Sequence, residues 1–276
     1  MYKEEYMKKS ITAAAAITLA LTLGACSNKG SYASVMDIDH LSRIKESGKL
    51  VIGLEGVWQP FCYHDAATDE LIGFDVEVSR NIAERIGVEV EFKEGAWEGL
   101  FMGLDAGQYD LVVNGVDVTE DRKAAYNFSD PYLFDNTVLV VRADNNEIKS
   151  FEDLKGKKTA NSTGSTYAEI GAEYGAEVSG VSDLAKTIQM VLNGQVDATI
   201  NASLSIVDYQ ITTGETNIKV VAELPSETGY AIPMVKGKDN DTLRAAINDA
   251  LKSMREDGTL KELSIKYFGS DLTEIK

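Results

Sequence analysis

The segment DLVVNGVDVTEDR (110–122) holds the residue types best suited to binding a small charged molecule. It starts as an apolar, strand-like run and turns polar at Asn114, Gly115 and Asp117, with Arg122 five residues further on. A guanidinium presents paired N–H donors that match a carboxylate, whereas a carboxylate pairs with an ammonium group. The alternative is an ordinary helix start, in which Arg122 is a solvated charge and Asp117 caps the helix.

Strands and helices alternate ahead of this segment. LVIGL (50–54) predicts a buried strand, and DVEVSRNIAERIG (75–87) predicts a helix that ends at its glycine. VEVEF (88–92) predicts a second strand, and WEGLFMGLDAG (97–107) an amphipathic helix. This β-α-β-α-β order is typical of a parallel sheet covered by helices. Ligands of such sheets lie beyond the carboxyl ends of the strands, where residues 114–117 would follow the third strand.

An internal repeat extends this prediction to a second sheet. AGQYDLVVNG (106–115) aligns without gaps with NGQVDATINA (193–202), and both read G-Q-x-D-x-x-x-N. The repeat favours two related α/β lobes whose strand ends, at Asn114 and Asn201, face each other across a cleft. Chance similarity is the alternative, because Gly-x-x-Asp turns are common between helices and strands.

Composition excludes several classes of function. The 276-residue chain has a net charge of −17, which argues against nucleic acid as a partner. Its histidines and cysteines are only His40, His64, Cys26 and Cys62, too few to build a zinc or iron site. The sequence contains neither a G-x-G-x-x-G nor a G-x-S-x-G motif. We therefore expect no metal, no cofactor and no catalytic residue.

The N-terminus has the pattern of a secretory signal. Lys8 and Lys9 precede the apolar run ITAAAAITLALTL (11–23), which is too short for a membrane-spanning helix. The initiating residue is Met1 or Met7, and the second gives a more ordinary start for a signal peptide.

The end of that run, LGAC (23–26), resembles the lipobox of bacterial lipoproteins, in which the cysteine is acylated and becomes the first residue. The resemblance implies a signal peptide over residues 1–25 and a flexible tether over residues 26–37. It also implies an extracytoplasmic protein that is anchored to the cell membrane by a lipid on Cys26.

Five further segments, in order along most of the chain, carry a resemblance to one family. They are GLEGVWQPFCYHD (53–65), LIGFDVEVSRNIAERIG (71–87), W-x-G-L (97–100), TEDRKAAYNFSDPY (119–132) and SFEDLKGKK (150–158). The chain resembles the extracytoplasmic solute-binding proteins of ABC importers for polar amino acids, family 3. NSTGSTYAE (161–169) and DATINAS (197–203) resemble the cystine-binding subgroup.

The resemblance implies a two-lobed periplasmic-binding-protein type II fold of the α/β class, with the ligand cleft between lobes joined by two crossing strands. Residues 38–136 and 231–276 would form the first lobe, and residues 137–230 the second. The apolar runs TVLVVRA (137–143) and TGYAIPMVKG (228–237) would be the crossing strands. The expected partners are an amino-acid ligand and an ABC permease in the membrane, and the expected state is a monomer.

The family also implies roles for individual residues. Arg122 corresponds to the arginine that clamps the ligand α-carboxylate, and Ser165 and Thr166 to donors at the start of a second-lobe helix beginning at Tyr167. Trp58 corresponds to an aromatic residue that stacks on the ligand side chain. The other expected cleft residues are Glu55, Asn114, Gly115, Asp117 and Asn201. Outside the family, each of these side chains has an ordinary packing or surface interpretation, and Trp97, Phe101, Phe128 and Tyr132 are interpreted as packing residues.

One departure from the family concerns the ligand ammonium. Family members commonly carry an aspartate where this chain has Ala202, and serine or threonine where it has Asp117. We therefore expect Asp117 to pair with the ammonium. Glu55 favours cystine as the ligand, because cystine carries a second ammonium that needs a partner.

Two alternative functions use the same fold. A dehydratase of the cyclohexadienyl or prephenate type would need a general acid, for which Glu55 is the candidate. A ligand-sensing lipoprotein would use the cleft for signalling.

Overall fold

The structure is a computed structural model, and it describes residues 39–274. The predicted signal peptide, lipidated Cys26 and tether all lie outside the described residues. The helices are α1 (His40–Ser47), α2 (Phe74–Ile86), α3 (Trp97–Asp105), α4 (Glu120–Ala125), α5 (Thr166–Glu173), α6 (Leu184–Leu192), α7 (Ser203–Thr213), α8 (Asp241–Glu256) and α9 (Thr259–Phe268).

The strands include the three predicted for the first lobe, with others that the sequence analysis did not predict. They are β1 (Lys49–Leu54), β2 (Val57–Trp58), β3 (Cys62–His64), β4 (Leu71–Ile72), β5 (Glu89–Glu94), β6 (Leu111–Val112), β7 (Tyr126–Phe128), β8 (Thr137–Arg142), β9 (Lys158–Asn161), β10 (Glu177–Gly180), β11 (Ala198–Ala202), β12 (Ile218–Leu224) and β13 (Pro233–Val235).

The first lobe is built on a three-stranded parallel sheet of order β5-β1-β6. This confirms the predicted β-α-β-α-β unit. Helix α2 ends at Gly87, whose φ of 85° is left-handed and needs a glycine. Leu50 and Ile52 on β1 are fully buried beneath α2, in a core that includes Phe74 and Ile82.

The second lobe is built on a five-stranded sheet of order β10-β9-β11-β8-β12. Strand β8 runs antiparallel to β11 and β12, whereas β9 is parallel to both β10 and β11. Its core is separate from that of the first lobe and contains Leu139, Val141 and Ile200. The mixed α/β architecture with two sheets agrees with the predicted fold class.

The chain returns to the first lobe after the second sheet. Helices α8 and α9 pack against α2. The predicted long crossing strand over residues 228–237 is wrong in extent, because only Pro233–Val235 pairs, with β7. Tyr230 instead forms isolated bridges with Asp117 and Leu133. The left-handed Gly229, at φ 69°, interrupts the extended backbone immediately before Tyr230.

The internal repeat has equivalent hydrogen bonds in both lobes. The Asp110 carboxylate accepts from the backbone N–H of Val51 at 2.8 Å, and the Asp197 carboxylate accepts from that of Lys158 at 2.7 Å. In each lobe the repeat aspartate thus joins the turn before its strand to the neighbouring parallel strand. This shared hydrogen bond, rather than the turn alone, explains why the aspartate occupies the same position in both copies of the repeat.

No helix between residues 39 and 274 is both long and apolar enough to cross a membrane.

Candidate functional site

A cavity lies between the two lobes at the carboxyl ends of their strands. The first lobe lines it with Glu55, Val57, Trp58, Trp97, Asn114, Gly115 and Asp117. The second lobe lines it with Asn161, Ser162, Ser165, Thr166, Tyr167, Val181, Ser182, Leu184, Thr187 and Asn201.

Asn114 lies at the base of the cavity and is fully buried. Its Oδ1 accepts from the Glu55 backbone N–H at 2.8 Å and from the Cys62 thiol at 3.1 Å. Since two donors face Oδ1, the amide nitrogen faces the other way, where it donates to Glu55 Oε2 at 2.8 Å. Asn114 thus fixes the position of the Glu55 carboxylate.

The next residue, Gly115, is held from beneath by a buried carboxylate. Its backbone N–H donates to Asp75 Oδ2 at 2.8 Å, and the Tyr132 hydroxyl donates to Asp75 Oδ1 at 2.9 Å. Gly115 has a left-handed φ of 52°, and a Cβ here would lie 2.5 Å from the Trp58 ring. Only a glycine therefore lets the Trp58 indole lie against the cavity floor.

Aromatic rings also fix the position of Trp58. Its ring stacks on Phe61, with centroids 4.2 Å apart and planes 19° apart, and Phe61 meets Tyr230 edge-on. Trp58 is therefore held rigidly at the cavity, as a residue that stacks on a ligand requires. Trp97 packs in the first-lobe core, as predicted, but also lines the cavity, which the sequence interpretation did not include.

Asp117 connects the two lobes. Its Oδ2 accepts from the Thr166 hydroxyl at 2.5 Å. The cap of helix α4 is Thr119, whose hydroxyl accepts from the Arg122 N–H at 3.2 Å. The alternative in which Asp117 caps this helix is therefore wrong, and its carboxylate is available to the cleft.

Arg122 also bridges the lobes, beside the cavity rather than on its lining. Its guanidinium donates to the carbonyl oxygens of Asp117 at 3.1 Å and Gly164 at 3.3 Å. It also lies over the rings of Trp97 and Phe101, 5.3 and 5.4 Å from their centroids. The predicted carboxylate clamp remains a prediction.

The remaining predicted residues lie at strand and helix ends of the second lobe. Helix α5 begins at Thr166, one residue before the predicted start at Tyr167, because Ser165 caps it by accepting from the Ala168 N–H at 3.1 Å. The Ser165 hydroxyl donates to the Ser162 carbonyl at 2.7 Å, so it is committed within its own loop. Asn201 lines the cavity, with its Oδ1 accepting from the Ala202 N–H.

The side chains that line the cavity include two carboxylates and no basic residue. Burial raises the pKa of Glu55 to about 7, against the opposing effect of the Asn114 hydrogen bond. Burial likewise raises the pKa of Asp75 to about 7 and raises that of Asp117. The cavity wall thus presents Glu55 and Asp117 as its acidic groups, with no lysine, arginine or histidine.

Sequence reasoning missed several lining residues of the second lobe. Asn161, Val181, Leu184 and Thr187 come from strand ends and a helix start. Asn161 begins the NSTGSTYAE segment, whose resemblance to the cystine-binding subgroup did not single it out, and the other three lie in no motif. Their only signal is position, since β9 ends at Asn161 in the same sheet in which β11 ends near Asn201. Within the described part of the chain, no cluster of three or more His, Cys, Asp or Glu side chains could hold a metal ion.

Comparison with known proteins gives the family. Residues 50–270 match the model for bacterial extracellular solute-binding proteins, family 3. The chain belongs to this family. It is 40% identical over 273 residues to the L-cystine-binding protein TcyA of Bacillus subtilis strain 168, covering 97% of this chain and 100% of that protein.

Solved structures give the same result for the fold. An ancestral arginine-binding protein bound to glutamine matches with a TM-score of 0.75 at 35% identity, over 81% of this chain and 99% of its own. The L-cystine solute receptor of Neisseria gonorrhoeae, unliganded and open, matches with a TM-score of 0.58 at 38% identity, over 85% of this chain and 98% of that chain. The more identical neighbour superimposes less well and is open, whereas hydrogen bonds join the lobes of this chain across the cleft.

These relatives support the predicted function as a solute-binding protein that binds an amino acid for import by an ABC transporter. Members of the family are extracytoplasmic.

Proposed function

We propose that this protein binds L-cystine in the cleft and delivers it to an ABC permease. The observation that carries the proposal is the charge of the cavity wall, which has Glu55 and Asp117 but no basic side chain. Cystine brings two ammonium groups, one for each carboxylate, and a buried ammonium without a partner costs several kcal/mol. The 40% identity to a cystine-binding protein supports the same ligand.

The ligand carboxylates need donors from elsewhere. Arg122 lies beside the cavity, within reach of Asp117 and Gly164, and its planar guanidinium suits a carboxylate. Thr166 is the first residue of α5, and a helix N-terminus favours an anion. Trp58, with Asn114 and Gly115 beneath it, supplies the stacking surface, and Ser165 and Asn201 complete the proposed site.

The cavity disfavours the dehydratase alternative. Glu55, with its raised pKa, has the property of a general acid. A prephenate-type substrate, however, carries two carboxylates and no ammonium, and both would meet the acidic wall. We therefore propose a binding protein without catalytic function.

Ligand panels test the proposal. L-Cystine, L-arginine, L-glutamine and prephenate are compared by thermal shift on the parent, on Asp117→Asn, and on the exposed control Glu120→Gln. A ligand at a hundred times its Kd adds about 2.7 kcal/mol, or roughly 5 to 10 °C for a protein of this size. We expect the shift with cystine, its retention in Glu120→Gln, and its loss in Asp117→Asn. A shift with prephenate and none with any amino acid would refute the proposal.

We also propose that the protein is a monomeric lipoprotein whose first lobe comprises residues 38–136 and 231–276, with residues 137–230 as the second. Strand β8 starts at Thr137, and β13 pairs with first-lobe strand β7, which supports these bounds. The LGAC segment supports lipidation of Cys26. Cys26→Ala should then release the protein into the medium or leave it unprocessed, and equal membrane retention would contradict the anchor.

A further inference from the structure

Three buried side-chain atoms of the described residues have no hydrogen-bond partner. They are Thr159 Oγ1, Asn161 Oδ1 and Ser205 Oγ. Of these three residues, only Asn161 lines the cavity between the lobes. Buried polar groups in native proteins are almost always paired, and an unpaired acceptor at the wall of a binding cavity therefore points to a donor on the ligand.

The orientation of the Asn161 amide is fixed by its other end. Its Nδ2 donates to the Ile200 carbonyl at 2.6 Å and reaches Thr199 Oγ1 at 3.5 Å. Reversing the amide would place two carbonyl oxygens against each other, so Oδ1 is the end directed away from β11. The main chain is fixed as well, since the Val181 N–H donates to the Asn161 carbonyl at 2.9 Å.

Other polar groups on the second-lobe wall are already committed. The Thr166 hydroxyl donates to Asp117, the Ser165 hydroxyl to Ser162, and the Thr187 hydroxyl to the Leu184 carbonyl. Asn201 Oδ1 accepts from the neighbouring backbone N–H. Among the buried side-chain atoms of this wall, Asn161 Oδ1 is thus the one without any hydrogen-bond partner.

We propose that Asn161 Oδ1 accepts a hydrogen bond from an N–H group of the bound amino acid, and so contributes to ligand selection from the second lobe. The inference rests on the proposed function. A carbonyl oxygen matches an ammonium or amide N–H and repels a carboxylate. Because the second lobe has Ala202 and no charged residue on its cavity wall, this neutral acceptor is its contribution to binding the ligand's nitrogen.

Thr159 provides a matched control. It lies on the same strand, β9, is fully buried, and has an equally unpartnered oxygen, but does not line the cavity. Thr159→Val replaces an unpaired hydroxyl by a methyl group, whereas Asn161→Leu removes the unpaired Oδ1 together with the hydrogen bond from Nδ2 to the Ile200 carbonyl. Calorimetry with L-cystine and L-glutamine measures affinity, and thermal melting of the empty proteins measures stability. We expect Asn161→Leu to lose some stability, because the Ile200 carbonyl loses its donor, and to weaken binding by the folded protein at least tenfold. We expect Thr159→Val to bind within threefold of the parent.

The other outcomes are decisive as well. Binding by Asn161→Leu within threefold of the parent would overturn the inference while leaving the proposed function intact. Equal losses in both variants would assign the effect to strand β9 rather than to the ligand contact, and would overturn it too. A parent that binds no amino acid would refute the proposed function and the inference with it. If Asn161→Leu does not melt cooperatively, Asn161→Ala takes its place, because alanine is too small to overpack the strand.

Discussion

Ligand binding should release a proton from Glu55. In the empty protein its carboxyl lies in the cavity wall, bonded to Asn114 Nδ2, and no basic residue lines the cavity. Burial raises its pKa to about 7, and the nearby Glu98 charge acts in the same direction. Below pH 7 the Glu55 carboxyl of the ligand-free protein is therefore largely protonated. An ammonium bound beside Glu55 favours the ionised form, so binding and deprotonation are linked.

The size of the effect follows from the two pKa values. If the bound ammonium restores the ordinary value of 4.5, the proton must be expelled at every pH between 4.5 and 7. Relative to pH 7.5, the Kd for L-cystine should then weaken roughly 8-fold at pH 6 and roughly 60-fold at pH 5. The Kd must weaken as pH falls, because the free protein holds the Glu55 proton more tightly than the complex does.

Calorimetry in two buffers of different ionisation enthalpy measures both Kd and the number of protons released. Glu55→Gln is the control, because its side chain keeps the size and an acceptor oxygen but cannot titrate. We expect about one proton released near pH 6 by the parent and a clearly weaker pH dependence in the variant, in which Asp117 remains as an acidic group of the cavity wall. A parent Kd that is constant from pH 7.5 to 5, or an unchanged slope in Glu55→Gln, would refute the reasoning.

Three further variants probe the neighbouring residues. Arg122→Lys should weaken binding by about 30-fold or more in calorimetry, since loss of a desolvated charge contact costs on the order of 2 to 5 kcal/mol; a loss under threefold would place the guanidinium outside the site. Gly115→Ala should weaken binding at least about tenfold, because its Cβ would collide with Trp58. The control Gly87→Ala, also left-handed but with open space around it, should lose only stability. In urea titrations the empty protein should become less stable as pH rises from about 4 to 7, since Asp75 must ionise in a buried site. Asp75→Asn should reduce that dependence, and the remainder comes from Glu55 and Asp135, whose pKa values burial also raises to about 7. An unchanged slope would show that Asp75 does not titrate in this range.

The fold was predictable where local pattern and tertiary structure agree. The repeat placed Asp110 and Asp197 in equivalent turns, and each carboxylate accepts from the neighbouring strand in its own lobe. Gly87 ends α2 where the periodic pattern ends. The crossing at residues 228–237 was overestimated because apolar composition alone predicts a strand. That segment bends at Gly229 and forms isolated bridges through Tyr230.

The site was less predictable because its residues are brought together by tertiary contacts. Asp75 has the sequence pattern of an ordinary first-turn acid, yet it is fully buried because Gly115, forty positions later, donates to it. Asn161 begins the NSTGSTYAE segment, but its significance depends on which of its atoms remain unpaired after the second sheet forms. Asp117 was singled out by its difference from the family, and the structure gives that carboxylate a partner, Thr166, on the opposite lobe.

The distribution of charge across the cleft has a consequence for the order of binding. Both acidic residues on the cavity wall, Glu55 and Asp117, belong to the first lobe, while the second lobe lines the cavity only with neutral side chains. On the cavity wall, the attraction of charge on an ammonium therefore comes from the first lobe, and we expect the ligand to bind there before the lobes close. We propose that the second lobe adds short-range hydrogen bonds and shape, with Asn161 among the residues that do so. In this proposal charge governs capture, and closure of the neutral wall selects among the captured ligands.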